Sequence, residues 1–383
     1  VSTVVYDVAV VGAGVHGASA AYHLTRAGHS VIVVERGYPA SGPTGRSSAI
    51  CRAYYTNPFL AAVAGEAIAW MADFPASLGG ESGFHNTGAL YIHPPADTAE
   101  VETVAAALNA TGVRVDVLDH SELARRVPGI NLDTVGVGVW EHGAGYADPV
   151  LTTTAMLDAA RRLGATVRIR TGVSGIETDG AQVRLTTEAE PITASRVLLA
   201  MGPWTRPMVA TLGLDLPLRV ERHVVGSYAG GDVTPSFVLA DLAAGFYGKP
   251  EHGGQYLLGW LHPAADVDPS SFAERISDSE SLELVAAAVT RLPFLETMAP
   301  RGGWAGLYDV SPDWQPVIGE IAPRVFVHAG SSGHGFKLAP VLGRYVADLV
   351  AGERVAELEQ FSPQRFAAGE RVPAGFGEIR IIG

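Results

Sequence analysis

The chain has 383 residues, 47% of them hydrophobic and 17% charged, with a net charge of −13. That apolar content is enough for two domains and a sizeable core, which excludes an intrinsically disordered chain. The acidic balance excludes nucleic acid as the main partner, because phosphate binding needs clustered Lys and Arg. The single cysteine, Cys51, excludes an internal disulfide and a cysteine-based metal site.

No uninterrupted apolar run reaches membrane-spanning length, and the N-terminus enters a strand without a basic, apolar leader. With the lone thiol, these features lead to the expectation of a soluble protein of the reducing cytoplasm. Tyr6 to Val11 reads as a buried strand that stops at Gly12-Ala13-Gly14-Val15-His16-Gly17. A helical pattern follows from Val15 to about Ala27, Gly28 ends it, and Val31 to Val34 reads as a second strand closed by Glu35. Strand, glycine turn, helix, strand and terminal acid together form a dinucleotide-binding fingerprint. Gly12 allows the tight turn, Gly14 lets backbone approach a pyrophosphate, and Gly17 lets the helix lie close to the strand. The helix N-terminus offers free N–H groups to that pyrophosphate. Glu35, 23 positions after Gly12, is placed to accept ribose hydroxyl hydrogen bonds.

Gly37 to Ser48 is turn-rich and too long for an ordinary βα connection, so it is expected to wrap a ligand, with Arg46, Ser47 and Ser48 as donors. Pro58 to Phe74 has helical spacing, and Asn86 to His93 reads as one strand. Thr98 to Leu108 reads as helix, Val113 to Leu118 as extended, and Ser121 to Arg126 as a short helix capped by Ser121 with Glu122. Val135 to Trp140 alternates as a strand, and a long helix opens at Asp148-Pro149 and runs to about Leu163. Ala165 to Ile176 returns to strand, and Gln182 to Thr187 with Ile192-Thr193 suggests a hairpin. Arg196 to Ala200 is a buried strand ending at Gly202, a second place for the chain to touch a nucleotide. Leu218 to about Leu261 alternates as an antiparallel sheet, and Ser277 to Leu292 is helical. Val325 to Ala329 is a buried strand running into Gly330 to Lys337, and a helix follows from Leu338 to about Ala351.

Nucleotide-type strands thus stand at the start, middle and end, with sheet-like inserts between them. The expected fold is α/β (α+β): a Rossmann-like dinucleotide domain interrupted by a second domain with an antiparallel sheet. The boundaries that follow are 1–75, 146–215 and 306–383 for the first domain, and 76–145 with 216–305 for the second.

Four stretches resemble the D-amino-acid-oxidase-like flavoproteins, in the branch of sarcosine oxidase, dimethylglycine dehydrogenase and glycine oxidase. They are the N-terminal fingerprint, Thr44 to Arg52, Gly306 to Asp313, and Ser332 to Pro340. The resemblance implies FAD as cofactor and a substrate domain over the flavin. It implies an amine or amino-acid substrate that passes a hydride from its α-carbon to flavin N5, giving an imine that hydrolyses. Oxygen or another acceptor then takes the electrons. Arg52 matches an arginine that holds the substrate carboxylate, Lys337 a lysine sharing that task, and Tyr247 and Tyr308 two tyrosines lining the substrate side.

The implied cofactor-binding set is Gly12, Gly14, Val15, His16, Gly17, Glu35, Arg36, Thr44, Gly45, Arg46, Ser47, Ser48, Val173, Gly202, Trp204, Gly306, Gly333, His334, Gly335, Phe336 and Lys337. His334, between glycines, is expected to act through its backbone. Three departures from the family pattern stand out. Gly306 occupies the place of a tethering cysteine and Arg46 that of a tethering histidine, so the FAD is expected to be non-covalent. Leu257 occupies the place of an oxygen-activating lysine, which leaves a dehydrogenase with another acceptor open. His262 aligns one place away from a family histidine and receives no role. A biosynthetic flavoenzyme acting on a bulkier amine or a 2-hydroxy acid, and a flavin-binding subunit of a larger complex, are the other readings. The oligomeric state stays open.

Overall fold

The computed structural model describes residues 4–178, 180–231, 235–373 and 375, so the two ends of the expected dinucleotide domain lie partly outside the described residues. Its organising sheet is parallel at the centre. Strand β1 (Val5–Val11) is followed by helix α1 (Val15–Arg26) and strand β2 (Val31–Val34), and Val8–Val11 pairs in register with Val31–Val34. On its other edge β1 pairs parallel with Ile192–Leu199, which in turn pairs with Val325–Ala329. Thr166–Arg168 extends the sheet beyond β2. Parallel strands covered on both faces read as near-continuous Val, Ile and Leu, and the Val31–Val34 run is buried at all four positions. One layer is formed by α1 with helices Pro58–Ala72 and Ala339–Ala351. The opposite face carries Ala9, Val11, Ile32, Val34, Val197 and Leu199.

The second sheet has eight strands. Its order is Ala299–Val310, Arg219–Ala229, Gln255–Trp260, Phe246–Glu251, Val238–Asp241, Ala89–His93, Val137–Glu141 and Val115–Leu118. Its pairs are antiparallel except one: Val238–Asp241 lies parallel to Ala89–His93. These two strands come from the separate inserts, so no hairpin dictates their relative direction, and their pairing joins the inserts into one sheet.

Several local expectations needed correction. Ile192-Thr193 is the return arm of the expected hairpin, pairing antiparallel with Arg184-Leu185, but it is also the start of an eight-residue strand whose later part carries Val197–Leu199. The stretch from Asn86 to His93 is broken into His85–Asn86 and Ala89–His93, which join different sheets. The cap of the short helix His120–Arg126 is Asp119, which accepts from the Glu122 N–H while Glu122 reaches back to the Asp119 N–H. The strand Ala299–Val310 pairs with Arg219–Ala229 in the second sheet as far as Val310.

Candidate active site

Ligands of open α/β sheets bind beyond the carboxyl ends of the strands. A cavity of about 760 Å³ lies there, bounded on one side by the β1–α1 turn and on the other by the second sheet. At its floor a Cβ on Gly12, which has φ of +106°, would stand 2.4 Å from the Ala200 carbonyl oxygen. A Cβ on Gly17 would stand 1.9 Å from the Gly12 oxygen, which is why the helix can approach the strand only with glycine there. Thr44 Oγ1 accepts from the Val15 N–H at 3.2 Å and fixes the 43–46 turn over the helix start. Glu35 Oε2 accepts from the Ala13 N–H at 2.8 Å and Oε1 from the Gly37 N–H at 2.7 Å, so its carboxylate is held at the mouth. The Arg36 guanidinium lies 3.7 Å from the Trp204 ring and makes a flat wall beside Val173.

The cavity is lined by Gly12, Gly14, Val15, His16, Glu35, Arg36, Thr44, Arg46, Ser47, Ser48, Val173, Gly202, Trp204, Gly306, Gly333, Gly335 and Phe336. Gly17, Gly45, His334 and Lys337 stand behind that lining. Gly17 and Gly45 shape the backbone from there: Gly45 N–H donates to the Ala40 oxygen at 2.9 Å. Gly306 and Arg46 face each other, since a Cβ on Gly306 would touch the Arg46 oxygen at 3.5 Å. The Arg46 side chain donates to the Ala305 oxygen at 3.2 Å and pairs with Glu274 at 3.0 Å.

The roof is one face of the second sheet. Tyr247 and Tyr308 line the cavity, and the Tyr247 hydroxyl bonds Ser48 and Tyr308. Burial holds both phenols above their ordinary pKa, so both are neutral hydrogen-bonding groups. Tyr308 stacks on His223 with centroids 4.0 Å apart, and His223 Nε2 contacts Glu221 at 3.0 Å. Sequence reasoning missed His223, because only the strand register sets it opposite Gly306.

Arg52 and Lys337, 285 positions apart, meet at the ring of Tyr55. The Arg52 guanidinium is 4.5 Å from that ring's centre, the Lys337 ammonium nitrogen 5.9 Å, and both side chains are about 95% buried. Arg52 donates to the Tyr54 oxygen at 2.6 Å. Glu141 lies close enough to attract it, and the Glu141 carboxylate accepts from the Ala53 N–H and the Tyr91 hydroxyl, both at 2.7 Å. Lys337 Nζ reaches the His334 oxygen at 3.2 Å and the Tyr55 hydroxyl at 3.5 Å. Since a carbonyl only accepts, His334 Nε2 carries the proton donated to the Trp314 oxygen at 2.8 Å. Its Nδ1 is then free to accept from the Tyr55 hydroxyl at 3.4 Å. The His334 ring thus orients Tyr55, a task that its place between two glycines did not reveal. Burial above all lowers its pKa, to about 3.

Leu257, 2% exposed, stands opposite Lys249 on the same sheet face as Tyr247. Lys249 is itself buried, 2.9 Å from Glu251 and 4.1 Å from the Tyr146 ring centre. Cys51 is fully buried, and burial raises its thiol pKa to about 12, so it packs rather than reacts. Among the described residues there is no metal-binding cluster and no helix long and apolar enough to cross a membrane.

A glycine-turn cavity at the carboxyl edge of a parallel sheet, roofed by phenols and flanked by buried basic side chains, defines a dinucleotide-dependent oxidoreductase. The family model described as FAD dependent oxidoreductase matches residues 7–349, and the chain belongs to that family. It is similar to the peroxisomal sarcosine oxidase of Homo sapiens, at 28% identity over 90% of this chain and 92% of that protein. It is similar also to the N-methyl-L-tryptophan oxidase of Salmonella heidelberg, at 27% identity over 94% and 99%. In fold it resembles the L-proline dehydrogenase of P. horikoshii, with a TM-score of 0.86, 23% identity, and coverage of 97% of this chain and 100% of that one. The chain is an FAD-dependent oxidoreductase, and its motifs resemble those of the sarcosine-oxidase-like branch.

The glycine floor, the helix start and Glu35 fit FAD: Glu35 and Arg36 would take its adenosine end, and the lining from Gly306 to Gly335 its flavin end. Glu35→Ala should therefore weaken FAD binding by about 1.5–3 kcal/mol, the scale of a charge-assisted hydrogen bond. Titrating apoenzyme with FAD by fluorescence quenching measures this, and unaltered affinity would show that the acid does not reach the ribose.

Proposed function

We propose that the protein oxidises the α-carbon–nitrogen bond of an amino acid or N-methylamino acid. The observation that carries this reading is the pair Arg52 and Lys337, two buried basic side chains converging on one tyrosine beside the 333–337 loop. FAD, when bound, would supply the hydride acceptor for the substrate α-carbon, leaving an imine to hydrolyse. The chain's own residues supply placement. Arg52 and Lys337 grip the carboxylate by charge-assisted hydrogen bonds in a dry pocket. Tyr247 and Tyr308, neutral and hydrogen-bonded to each other, give the α-carbon a fixed, low-mobility wall. The names of the relatives support this class, since both curated ones are oxidases of N-methylated amino acids.

The site residues named above, and a division into an FAD domain and a substrate domain near the expected boundaries, belong to the same proposal. The division is supported by the two sheets, which draw on separate segments of chain. A reducing compartment such as the cytoplasm suits the buried free thiol.

The FAD is held without a covalent tether, because Gly306 and Arg46 occupy the tethering places. Trichloroacetic acid should release all the flavin, and fluorescence remaining on the denatured protein band would refute this. Oxygen is a poor acceptor, because apolar Leu257 offers no charge to stabilise developing superoxide and the neighbouring Lys249 is already paired with Glu251. A panel of amino acids, N-methylamino acids and 2-hydroxy acids, assayed with both oxygen and a dye, tests the whole reading. Turnover with dye on amino acids, with photoreduced enzyme reoxidising slowly in air, is the expected result. Turnover on 2-hydroxy acids alone would overturn the amine reading, and rapid reoxidation would bring Lys249 forward as the oxygen-side cation.

A further inference from the structure

Loss of hydride from an α-carbon needs the nitrogen lone pair, yet amino acids in neutral water carry an ammonium group. One proton must therefore leave the substrate nitrogen before the reaction. Lys337 is placed to balance that loss. Its Nζ is enclosed with only neutral partners, the His334 oxygen and the Tyr55 hydroxyl, which use the two N–H bonds of an uncharged amine. No carboxylate lies within ion-pair distance of it among the described residues. The groups facing it are Arg52, Cys51 and Tyr55 from the 50–55 segment, Glu141 from the second sheet, and His334 from its own loop. Cys51, Tyr55 and His334 are neutral, with the Tyr55 hydroxyl pushed up to about 12 by burial. Burial raises the Glu141 pKa, whereas the bonds from the Ala53 N–H and the Tyr91 hydroxyl and the nearby Arg52 favour its ionised form, which offsets the charge of Arg52.

We infer that Lys337 is an uncharged amine in the resting FAD-loaded enzyme and takes up one proton when the substrate carboxylate arrives. This rests on the carboxylate clamp of the proposed function. The charge inventory closes without an isolated buried ion. Before binding, Arg52 and Glu141 cancel and Lys337 is neutral. A zwitterion adds no net charge. One N–H bond at the substrate nitrogen then breaks and one forms on Nζ, leaving carboxylate against lysine ammonium and a neutral amine ready for oxidation. A permanently charged Lys337 would instead leave an unpaired buried cation in the empty pocket, which costs several kcal/mol. Burial first, and repulsion from Arg52 second, hold the lysine well below its ordinary pKa, in the same direction.

The test is calorimetric and needs no turnover. Acetate, and separately 2-aminoisobutyrate, which has no α-hydrogen to lose, are titrated into FAD-loaded enzyme at pH 8. Two buffers of different ionisation heat are used. Acetate binding should take up about one proton per site. With 2-aminoisobutyrate the proton leaving its nitrogen offsets the one arriving on Nζ, so net uptake should be close to zero. Lys337→Arg, always charged, should bind acetate with no uptake, and Lys337→Met should bind it more weakly with no uptake. No uptake by the wild-type enzyme, or undiminished uptake in either variant, would overturn the inference while leaving the clamp intact. Equal acetate affinity in wild type and Lys337→Met, or no acetate binding at all, would overturn the clamp and this inference together.

Discussion

Replacing Lys337 by Met should lower kcat/KM for a carboxylate-bearing amine by about 10- to 150-fold while leaving FAD in place. The size follows from losing one charge-assisted contact of about 1.5–3 kcal/mol. The Lys337 hydrogen bonds go to the His334 oxygen and the Tyr55 hydroxyl rather than to the glycine floor, so the loss should fall on the substrate and not on the cofactor. The corresponding amide, which brings no anion to the missing charge, should lose much less. Arg52→Met should show the same contrast. Arg52 also donates to the Tyr54 oxygen and neighbours Glu141, so its removal leaves a buried carboxylate less compensated. A part of its effect will therefore appear in stability as well. The double variant should be non-additive, because both groups act on one carboxylate. Steady-state kcat/KM for a matched acid and amide across the four proteins decides the matter. Equal losses on acid and amide would mean that the lysine serves the flavin or the fold.

The largest stability effect is expected at Asp313. Its carboxylate takes two hydrogen bonds from Arg365, at 2.8 and 2.9 Å, one from Ser311 Oγ at 3.0 Å and one from the Val372 N–H at 3.1 Å. Both partners are almost fully buried, at 1% and 3% side-chain exposure. Asp313→Ala strands the Arg365 charge and should cost about 3–5 kcal/mol, the penalty for breaking a buried pair from one side. The site should feel it too. Trp314, next in the chain, is held at a φ of +59° and offers its oxygen to His334, so the 311–315 loop supports the tyrosine between Arg52 and Lys337. Urea midpoints with and without FAD, beside FAD affinity, measure both consequences. A midpoint within error of wild type would show that the pair contributes nothing.

The acid response carries the same signature. Burial raises the Asp313 pKa, but the Arg365 bonds and charge outweigh it and hold the carboxyl below its ordinary range. A depressed carboxylate contributes its full stability above the unfolded-state pKa and loses it as pH falls through the folded one. The stability difference between wild type and Asp313→Asn should therefore be constant near neutrality and shrink in the acid range below the ordinary carboxylate pKa. A difference that shrinks instead on the alkaline side would contradict the assignment.

What the sequence by itself determined is local and periodic. The Tyr6 to Glu35 stretch carries strand, glycine turn, helix, strand and acid within one short segment, and its close contacts are fixed by glycines that no side chain could replace. The family match rests on such contiguous motifs, and the family and fold were legible from them. Ambiguity began where neighbours across space decide. Ile192-Thr193 and Arg196–Leu199 look like separate elements, and only pairing to three different strands makes them one. The parallel junction between Ala89–His93 and Val238–Asp241 carries no local signal, because direction between distant strands is set by how the whole sheet packs.

The same limit governed the site. Arg52 and Lys337 could be named only through the resemblance, whereas Tyr55 between them, Glu141 opposite and His223 over Tyr308 were not named at all. Their roles depend on burial and on charges arriving from other parts of the chain, and neither quantity exists until the fold closes. Whether a lysine here is an ammonium or an amine is a property of that enclosure: tertiary structure removes the water that would otherwise keep it charged.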